Sequence, residues 1–356
     1  MTILITGGSG FIGSNFIHSW FQDQNEKLIN IDCITYAGNN SNLVKFKDKE
    51  NYQFKKFNIS ESKKILALVK KEKPRCIINF AAESHVDRSI HSPEEFINTN
   101  IVGLFKLLEV SKKYHSILDK DKKNNFKFIQ VSTDEVFGSL KQNEKSFTES
   151  SLYKPNSPYA ASKASGDHLV RSYRETYNLP TFVTNCSNNY GPYQFLEKLI
   201  PLVINNAINE KTIPIYGDGK QIRDWIFVED HCNALKHIIN KKNLKFSFYN
   251  IGSNNEQTNI KIVSTICSKL DKIKPRKNNK SYSELIEFVT DRPGHDYRYA
   301  INSNRIIKEL KWKPLTSLEK GINKTINWYI NNNDWISKIQ SKNYQKWVKS
   351  NYLKRE

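Results

Sequence analysis

The sequence predicts an α/β fold, a doubly wound parallel sheet with a smaller C-terminal lobe. Three observations carry that reading. The chain opens on a short, apolar and largely β-branched run, Ile3-Leu4-Ile5. A glycine-rich turn, Gly7 to Gly13, follows at once, and Ile12, Phe16 and Trp20 then recur at the spacing of one helix face. Further apolar runs return at Leu28-Ile29-Asn30-Ile31, at Cys76 to Phe80 and at Phe128 to Val131. Repeated strand–helix–strand units with right-handed crossovers put helices on both faces of a parallel sheet.

The remaining elements follow in order. Between the last two runs, Phe96, Val102, Phe105, Leu108 and Val110 suit a helix. The second half is less regular, punctuated by Pro192, Pro201 and Pro214 and by the turn Gly217-Asp218-Gly219. Ser247 to Ile251 reads as another strand and Ile260 to Leu270 as a helix. The polar, mostly basic stretch Asp271 to Tyr282 reads as an exposed connection. The boundary is expected near Asn185 to Tyr190. Residues 1–187 then form the first domain and 188–356 the second, with parts of 221–252 returning to the first.

With 356 residues the chain has room for two such units. A hydrophobic fraction of 38% with 17 Tyr and 19 Phe excludes a disordered chain. No run reaches the roughly 18 apolar residues of a membrane span, and the first residues lack the pattern of an export signal, so no membrane partner is expected. The net charge of +19 favours anionic partners. It comes from scattered clusters such as Lys70-Lys71, Lys112-Lys113 and Lys120 to Lys127, which read as solvated faces. No zinc-finger or RNA-recognition spacing interleaves with them, so no nucleic-acid partner is expected. Cys33, Cys76, Cys186, Cys232 and Cys267 are odd in number and widely spaced. That argues against a disulfide framework and against a metal site, and for a reduced, cytoplasmic protein.

Three constellations carry chemistry. Gly7, Gly10 and Gly13 have Gly-x-x-Gly-x-x-Gly spacing directly after a strand and opening a helix, the phosphate-binding turn of a Rossmann-type sheet. Missing side chains let the backbone approach a pyrophosphate, and the helix N-terminus offers free N–H groups. Asp32 lies 19 residues after Gly13, at the end of the second strand, where a carboxylate accepts from an adenosine ribose. A 2′-phosphate there would meet like charge, so NAD is expected rather than NADP. Tyr159 and Lys163, four apart, share a helix face. Free tyrosine has a pKa of about 10, and a nearby ammonium and a polar cofactor ribose are expected to favour the phenolate enough for it to serve as a base. Thr133-Asp134-Glu135 follows the strand ending at Val131, where open α/β sheets bind ligands. Thr133 suits a hydrogen bond to a reacting oxygen. The two adjacent carboxyls can separate into an acid and a base if their environments differ.

Together these three strings resemble the extended short-chain dehydrogenase/reductase family, and within it the nucleotide-sugar 4,6-dehydratases. Thr35 to Asn39, Ala81 to Ile90, Asn188 to Phe195, Arg223-Asp224-Trp225 and Asp291 to Asp296 extend the likeness over nearly the whole chain. The Thr-Asp-Glu string is the most specific, because epimerases of the same superfamily generally lack this acid/base pair. The resemblance implies a homodimeric enzyme with tightly held NAD, acting on dTDP-glucose. Tyr159 would take the proton of the sugar 4-hydroxyl as carbon 4 gives its hydride to NAD. Glu135 would remove the carbon-5 proton, Asp134 would protonate the departing 6-hydroxyl, and hydride and proton would then return.

By matching position, the resemblance places Gly7, Gly10, Phe11-Ile12, Gly13, Asp32 to Thr35, Asn58-Ile59, Phe80 to Ser84 (with Ala81 and Ala82), Thr99, Tyr159, Lys163 and Asn189 at NAD. It places Ser84, Thr133, Asn188, Lys198-Leu199, Pro214 to Tyr216, Arg223, Asn255 and Asp291 to His295 (with Arg292) at the nucleotide sugar. Arg223 is the expected diphosphate ligand, because a guanidinium fork matches phosphate oxygens. The competing reading is an ion pair with Asp224 or Asp230. Dimerisation would pair helices near Phe96 to Lys113 and Tyr159 to Tyr177, burying Leu104, Leu107 and Leu108. Asn58 stands where the family usually has Asp, Leu196 replaces a usual Pro, and Ser253-Asn254 a usual Gly-His. These departures bear on base preference and affinity. The competing functions are a UDP- or GDP-linked dehydratase or epimerase, a dinucleotide-binding regulator and, on charge alone, a nucleic-acid binder.

Overall fold

A computed structural model describes residues 1–340; residues 341–356, the end of the expected second domain, lie outside the described residues. In chain order the strands are β1 (Thr2–Thr6), β2 (Lys27–Asp32), β3 (Tyr52–Lys56), β4 (Cys76–Asn79), β5 (Lys127–Thr133), β6 (Thr181–Cys186), β7 (Asn188–Tyr190), β8 (Ile213–Tyr216), β9 (Ile222–Phe227), β10 (Phe248–Ile251), β11 (Glu256–Thr258), β12 (Ile286–Val289) and β13 (Arg298–Tyr299). Seven form one sheet in the order β10-β6-β5-β4-β1-β2-β3, with every neighbouring pair parallel.

The side-chain period of two divides these strands between two cores. Ile3, Ile5, Cys76, Ile78, Ile129 and Val131 pack on one face, with Phe16 and Trp20 of the helix Phe11–Asp23 and Ile238 of the helix Val228–Asn240. Leu4, Ile77 and Phe128 pack on the other, with the helices Ser62–Glu72, Leu104–Ser116 and Pro158–Tyr177. Strand order reverses between β1 and β4. At that switch point the carboxyl ends of neighbouring strands splay apart and leave a crevice. Thr6, Asp32, Asn79, Thr133 and Cys186, the last residues of five strands, all end at that edge.

The C-terminal part adds a small sheet in which β9 pairs with β7, β11 and β13, and a β8–β12 pair. Its core joins Ile200, Val203 and Ile204 of the helix Leu199–Ile208 to Ile262 and Ile266 of the helix Asn259–Ile273. Thr258 caps that last helix by accepting from Lys261 N.

Two expectations change. Leu104, Leu107 and Leu108 are fully buried within the chain, against the helices on that face of the sheet, so they are not available to a partner subunit. The apolar groups left exposed nearby are Ile97, Val102 and Phe105, with Tyr177 on the helix Pro158–Tyr177. The stretch from Asp271 to Tyr282 is not simply exposed. Asp271 accepts from Tyr282 N and Ser281 Oγ, and Tyr282 is buried in the lobe core. Asp271 folds the basic loop back, because one carboxylate satisfies two donors at its far end.

Candidate active site

The glycine turn is shaped by close approach. Gly7 has φ +72°, and a Cβ there would come within 2.7 Å of Ala81 Cα at the end of β4. A Cβ on Gly13 would meet the Gly7 carbonyl oxygen and lie 2.7 Å from Gly8 Cα. Gly10 opens the helix Phe11–Asp23 with no side-chain cap, so its first N–H groups face the crevice unclaimed. Asp32 holds the turn from the side, accepting from Ser9 N at 2.9 Å and Ile34 N at 2.8 Å. Burial raises its pKa against those two bonds. Each oxygen keeps a further lone pair for a ribose hydroxyl. This cradle fits a dinucleotide: an anion site at a helix end, and a carboxylate where the ribose belongs.

The cavity over the strand ends is lined by the residues expected at the cofactor, from Gly7 to Asn189, except Ile34. Of the expected substrate residues, Ser84, Thr133, Asn188 and Lys198 line the same cavity, while Leu199, Pro214, Tyr216, Arg223, Asn255, Asp291, Arg292 and His295 do not. Asn58 is exposed at the cavity mouth. Its carbonyl already accepts from Ser60 N, which leaves the amide N–H groups for a base.

The reactive groups meet where β5 and the helix Pro158–Tyr177 converge. Ser157 caps that helix by accepting from Ala160 N, with Pro158 in its first turn, which fixes Tyr159 at the cavity end. Thr133 ends β5 and turns the chain into a short 3₁₀ helix, Asp134–Phe137, its hydroxyl accepting from Glu135 N. Asp134 is buried, and its Oδ2 has no hydrogen-bond partner. Burial pushes its carboxyl well above the usual range, the Glu135 and Asp224 carboxylates add to this, and Arg223 opposes it. Burial also raises Glu135, but three cations pull it back, Arg292 first, then Lys198 and Arg223. The two carboxyls therefore sit in different fields, Asp134 poised as an acid and Glu135 closer to a base.

Tyr159 departs from expectation. Its phenol is pushed well above 10, first by burial and then by the Glu135 carboxylate. Lys163 does not offset this, because its ammonium donates to Val131 O at 2.8 Å and burial lowers its own pKa. In the free protein Tyr159 is a neutral phenol.

The lobe presents charge from the other side. Arg223 makes no ion pair with Asp224 or Asp230. It donates to the carbonyls of Ile222, Asp296 and Tyr297 and lies 4.3 Å over the Tyr299 ring. Asp224 instead ties down the 253–255 loop, and Asp230 accepts from Leu315 N and Thr316 N. Arg292 reaches Asp87 at 3.2 Å, and Tyr216 OH donates to the same carboxylate at 3.1 Å. His295 pairs with Asp291 at 2.6 Å. Sequence reasoning missed several supports. Arg88 grips the buried Glu197 through two nitrogens and stacks 4.0 Å over Tyr36. Asn100 clamps both the N–H and the carbonyl of Glu83 from a π-helical turn, Asn98–Gly103. Gln194 lines the cavity with a buried amide oxygen that has no partner, and Ser187 lines it beside the Asp224 carboxylate.

Known proteins match this architecture along its length. A family model described as GDP-mannose 4,6 dehydratase matches residues 4–325. A Salmonella typhimurium protein named dTDP-glucose 4,6-dehydratase is 50% identical, with 100% of both chains covered. Its Escherichia coli K12 counterpart, dTDP-glucose 4,6-dehydratase 1, is 49% identical with the same coverage. The solved structure of dTDP-glucose 4,6-dehydratase from Bacillus anthracis in complex with NAD has a TM-score of 0.83 and 43% identity, over 96% of this chain and 100% of that one. The Streptomyces venezuelae enzyme of the same name, with NAD and dTDP bound, has a TM-score of 0.86 and 36% identity over the same shares.

Proposed function

The chain belongs to the dTDP-glucose 4,6-dehydratases of the extended short-chain dehydrogenase/reductase family, and from that premise we infer that it converts dTDP-glucose to dTDP-4-keto-6-deoxyglucose and water. The observation that carries the reading is the Asp134–Glu135 pair beside Tyr159 in one cavity, with the two carboxyls in unlike fields. An epimerase needs no such pair.

The glycine turn, Asp32 and the cavity residues around Tyr159 and Lys163 would hold NAD, which would supply a hydride acceptor and donor for the sugar and a positive ring that favours the Tyr159 phenolate. The chain does the rest. Tyr159 takes the 4-hydroxyl proton, with Lys163 one helical turn behind it. The 4-ketone acidifies carbon 5, and Glu135 removes that proton. Asp134, held protonated by burial and its neighbours, gives its proton to the departing 6-hydroxyl, and the elimination balances as loss of water. Glu135 then returns the proton to carbon 5, and the proton that Tyr159 took from the 4-hydroxyl leaves to solvent as Asp134 takes one up, so both residues are reset. Arg223, Arg292 and Lys198 supply cationic charge beside the carboxyls, which suits a diphosphate on the nucleotide side.

In this reading residues 1–187, with returning segments from 221–252, hold NAD, and the lobe from 188 onward holds the nucleotide sugar. The exposed Ile97, Val102 and Phe105, with Tyr177 on the neighbouring helix, form the face of a homodimer. The described residues contain no helix long and apolar enough to cross a membrane, and the five free thiols support a reducing, cytoplasmic setting. The test is to incubate the protein with dTDP-, UDP- and GDP-glucose and identify the keto product by NMR. The expected result is a 4-keto-6-deoxy product from the dTDP sugar. A C4 epimer, or a preference for the UDP or GDP sugar, overturns the reading.

A further inference from the structure

On the helix Pro158–Tyr177, Tyr159, Lys163 and Asp167 stand at successive four-residue steps and so share one face. Tyr159 and Lys163 reach the cavity; Asp167 lies one turn deeper and is 3% exposed. Its carboxylate accepts from Ser132 Oγ at 2.7 Å and from Tyr153 OH at 3.0 Å. Ser132 comes from β5, directly before Thr133. The carboxylate is therefore fixed by the same strand end that carries the acid/base pair. A buried carboxylate with two donors and a cation one helical turn away is held as an anion. Lys163 has the opposite problem. Its ammonium is buried, and its hydrogen bond to protein goes to the Val131 carbonyl, a neutral partner. An ammonium taken out of water needs a counter-charge to stay charged.

We propose that Asp167 is a positioning residue for the dehydratase reaction, the buried counter-charge that keeps Lys163 an ammonium behind the Tyr159 base. This rests on the assignment of Tyr159 as base under the proposed function. The groups that face this pair are few. Against Lys163 stand Asp167 from its own helix and the Cys186 thiol from β6, which burial pushes up to about 12 and so keeps neutral. Against Asp167 stand Lys163, Ser132, Tyr153 and Asn185. Asp134 and Glu135 face Tyr159 at the other end. Asp167 itself sits at about 6, its rise by burial opposed by Lys163 first, so it is charged through the neutral range.

The variant Asp167→Asn keeps shape and removes charge. Lys163 should then lose its proton at lower pH, and the alkaline limb of kcat with dTDP-glucose should fall by about one pH unit or more, since a neighbouring opposite charge moves a buried group by roughly one to three units. In the free protein, the pH at which Lys163 loses its proton, read by 15N NMR of lysine-labelled protein and assigned with Lys163→Met, should likewise fall by about one unit or more. Asp167→Glu should move both readouts back toward the parent. If Asp167→Asn does not fold, Asp167→Ser removes the same charge with a smaller side chain and carries the same expectation. A uniform loss of kcat with both limbs in place, or an unmoved Lys163 titration, overturns the proposal. The free-protein titration uses no substrate, so its failure leaves the dehydratase reading standing.

Discussion

Replacing Asp134 by Asn removes one proton donor and almost no volume. Asp134 is 2% exposed, and its Oδ2 has no partner, so the Asn amide inherits the same pocket. Burial, Glu135 and Asp224 hold the native carboxyl protonated at neutral pH, so the exchange there is neutral for neutral. Loss of one general acid typically costs about 10²–10⁴-fold in rate, or about 3–5 kcal/mol of barrier. The loss should fall on water elimination alone. In single turnover with dTDP-glucose, Asp134→Asn should reduce the bound NAD and then stall, so reduced-cofactor absorbance accumulates where the parent shows only a transient. Stability moves separately. A carboxyl whose folded pKa is raised contributes stability below its unfolded pKa and loses it as pH rises through the folded one. Asp134→Asn should therefore gain stability relative to the parent as pH is raised, read by thermal melts across pH. Turnover at the parent rate, with no accumulated reduced cofactor, refutes the assignment of Asp134 as the acid.

Three further outcomes follow from the same geometry. Tyr159→Phe should abolish reduction of bound NAD in single turnover while leaving NAD binding, measured by calorimetry, within about threefold, since it removes a proton acceptor and little contact area. Gly13→Ala should weaken NAD binding at least about tenfold, because its Cβ would push the Gly7 carbonyl out of the turn; unchanged affinity by calorimetry contradicts the cradle. Phe105→Glu puts a charge on the exposed face with Ile97 and Val102, and should shift the sedimentation mass from dimer to monomer at micromolar concentration; an unmoved mass places the dimer elsewhere.

What was legible in the sequence was contiguous. Ile3-Leu4-Ile5, the glycine turn and the helix after it form one local unit, and its periodicity is the fold. Thr133-Asp134-Glu135 could be placed because it follows an apolar strand, and strand ends are where such sheets bind ligands. The rest depends on partners far apart in the chain. Arg88 and Glu197 are separated by 109 positions, and Arg292 and Asp87 by 205; nothing local marks either pair. The π-helical turn that aims Asn100 at Glu83 leaves an apolar pattern that reads as plain helix. Arg223 was readable as a cation suited to a diphosphate, but not as a group held by three carbonyls and a ring. Tyr159 was only partly readable for a related reason. The four-residue spacing to Lys163 is visible in sequence, but the depth of burial and the nearness of Glu135, which set the phenol's charge, are not. Leu104, Leu107 and Leu108 looked like an interface because a sequence does not say which of two apolar neighbours a helix face will meet.

The central claim is that hydride leaves carbon 4 and returns to carbon 6 of the same sugar through one NAD. The direct measurement is turnover of dTDP-glucose carrying deuterium at carbon 4, in ordinary water, with the product read by NMR and mass spectrometry. The account predicts deuterium at carbon 6 of the 4-keto-6-deoxy product and protium at carbon 5, the proton that Glu135 returns. Deuterium lost to solvent, deuterium retained at carbon 4, or carbon 6 filled from water would contradict it.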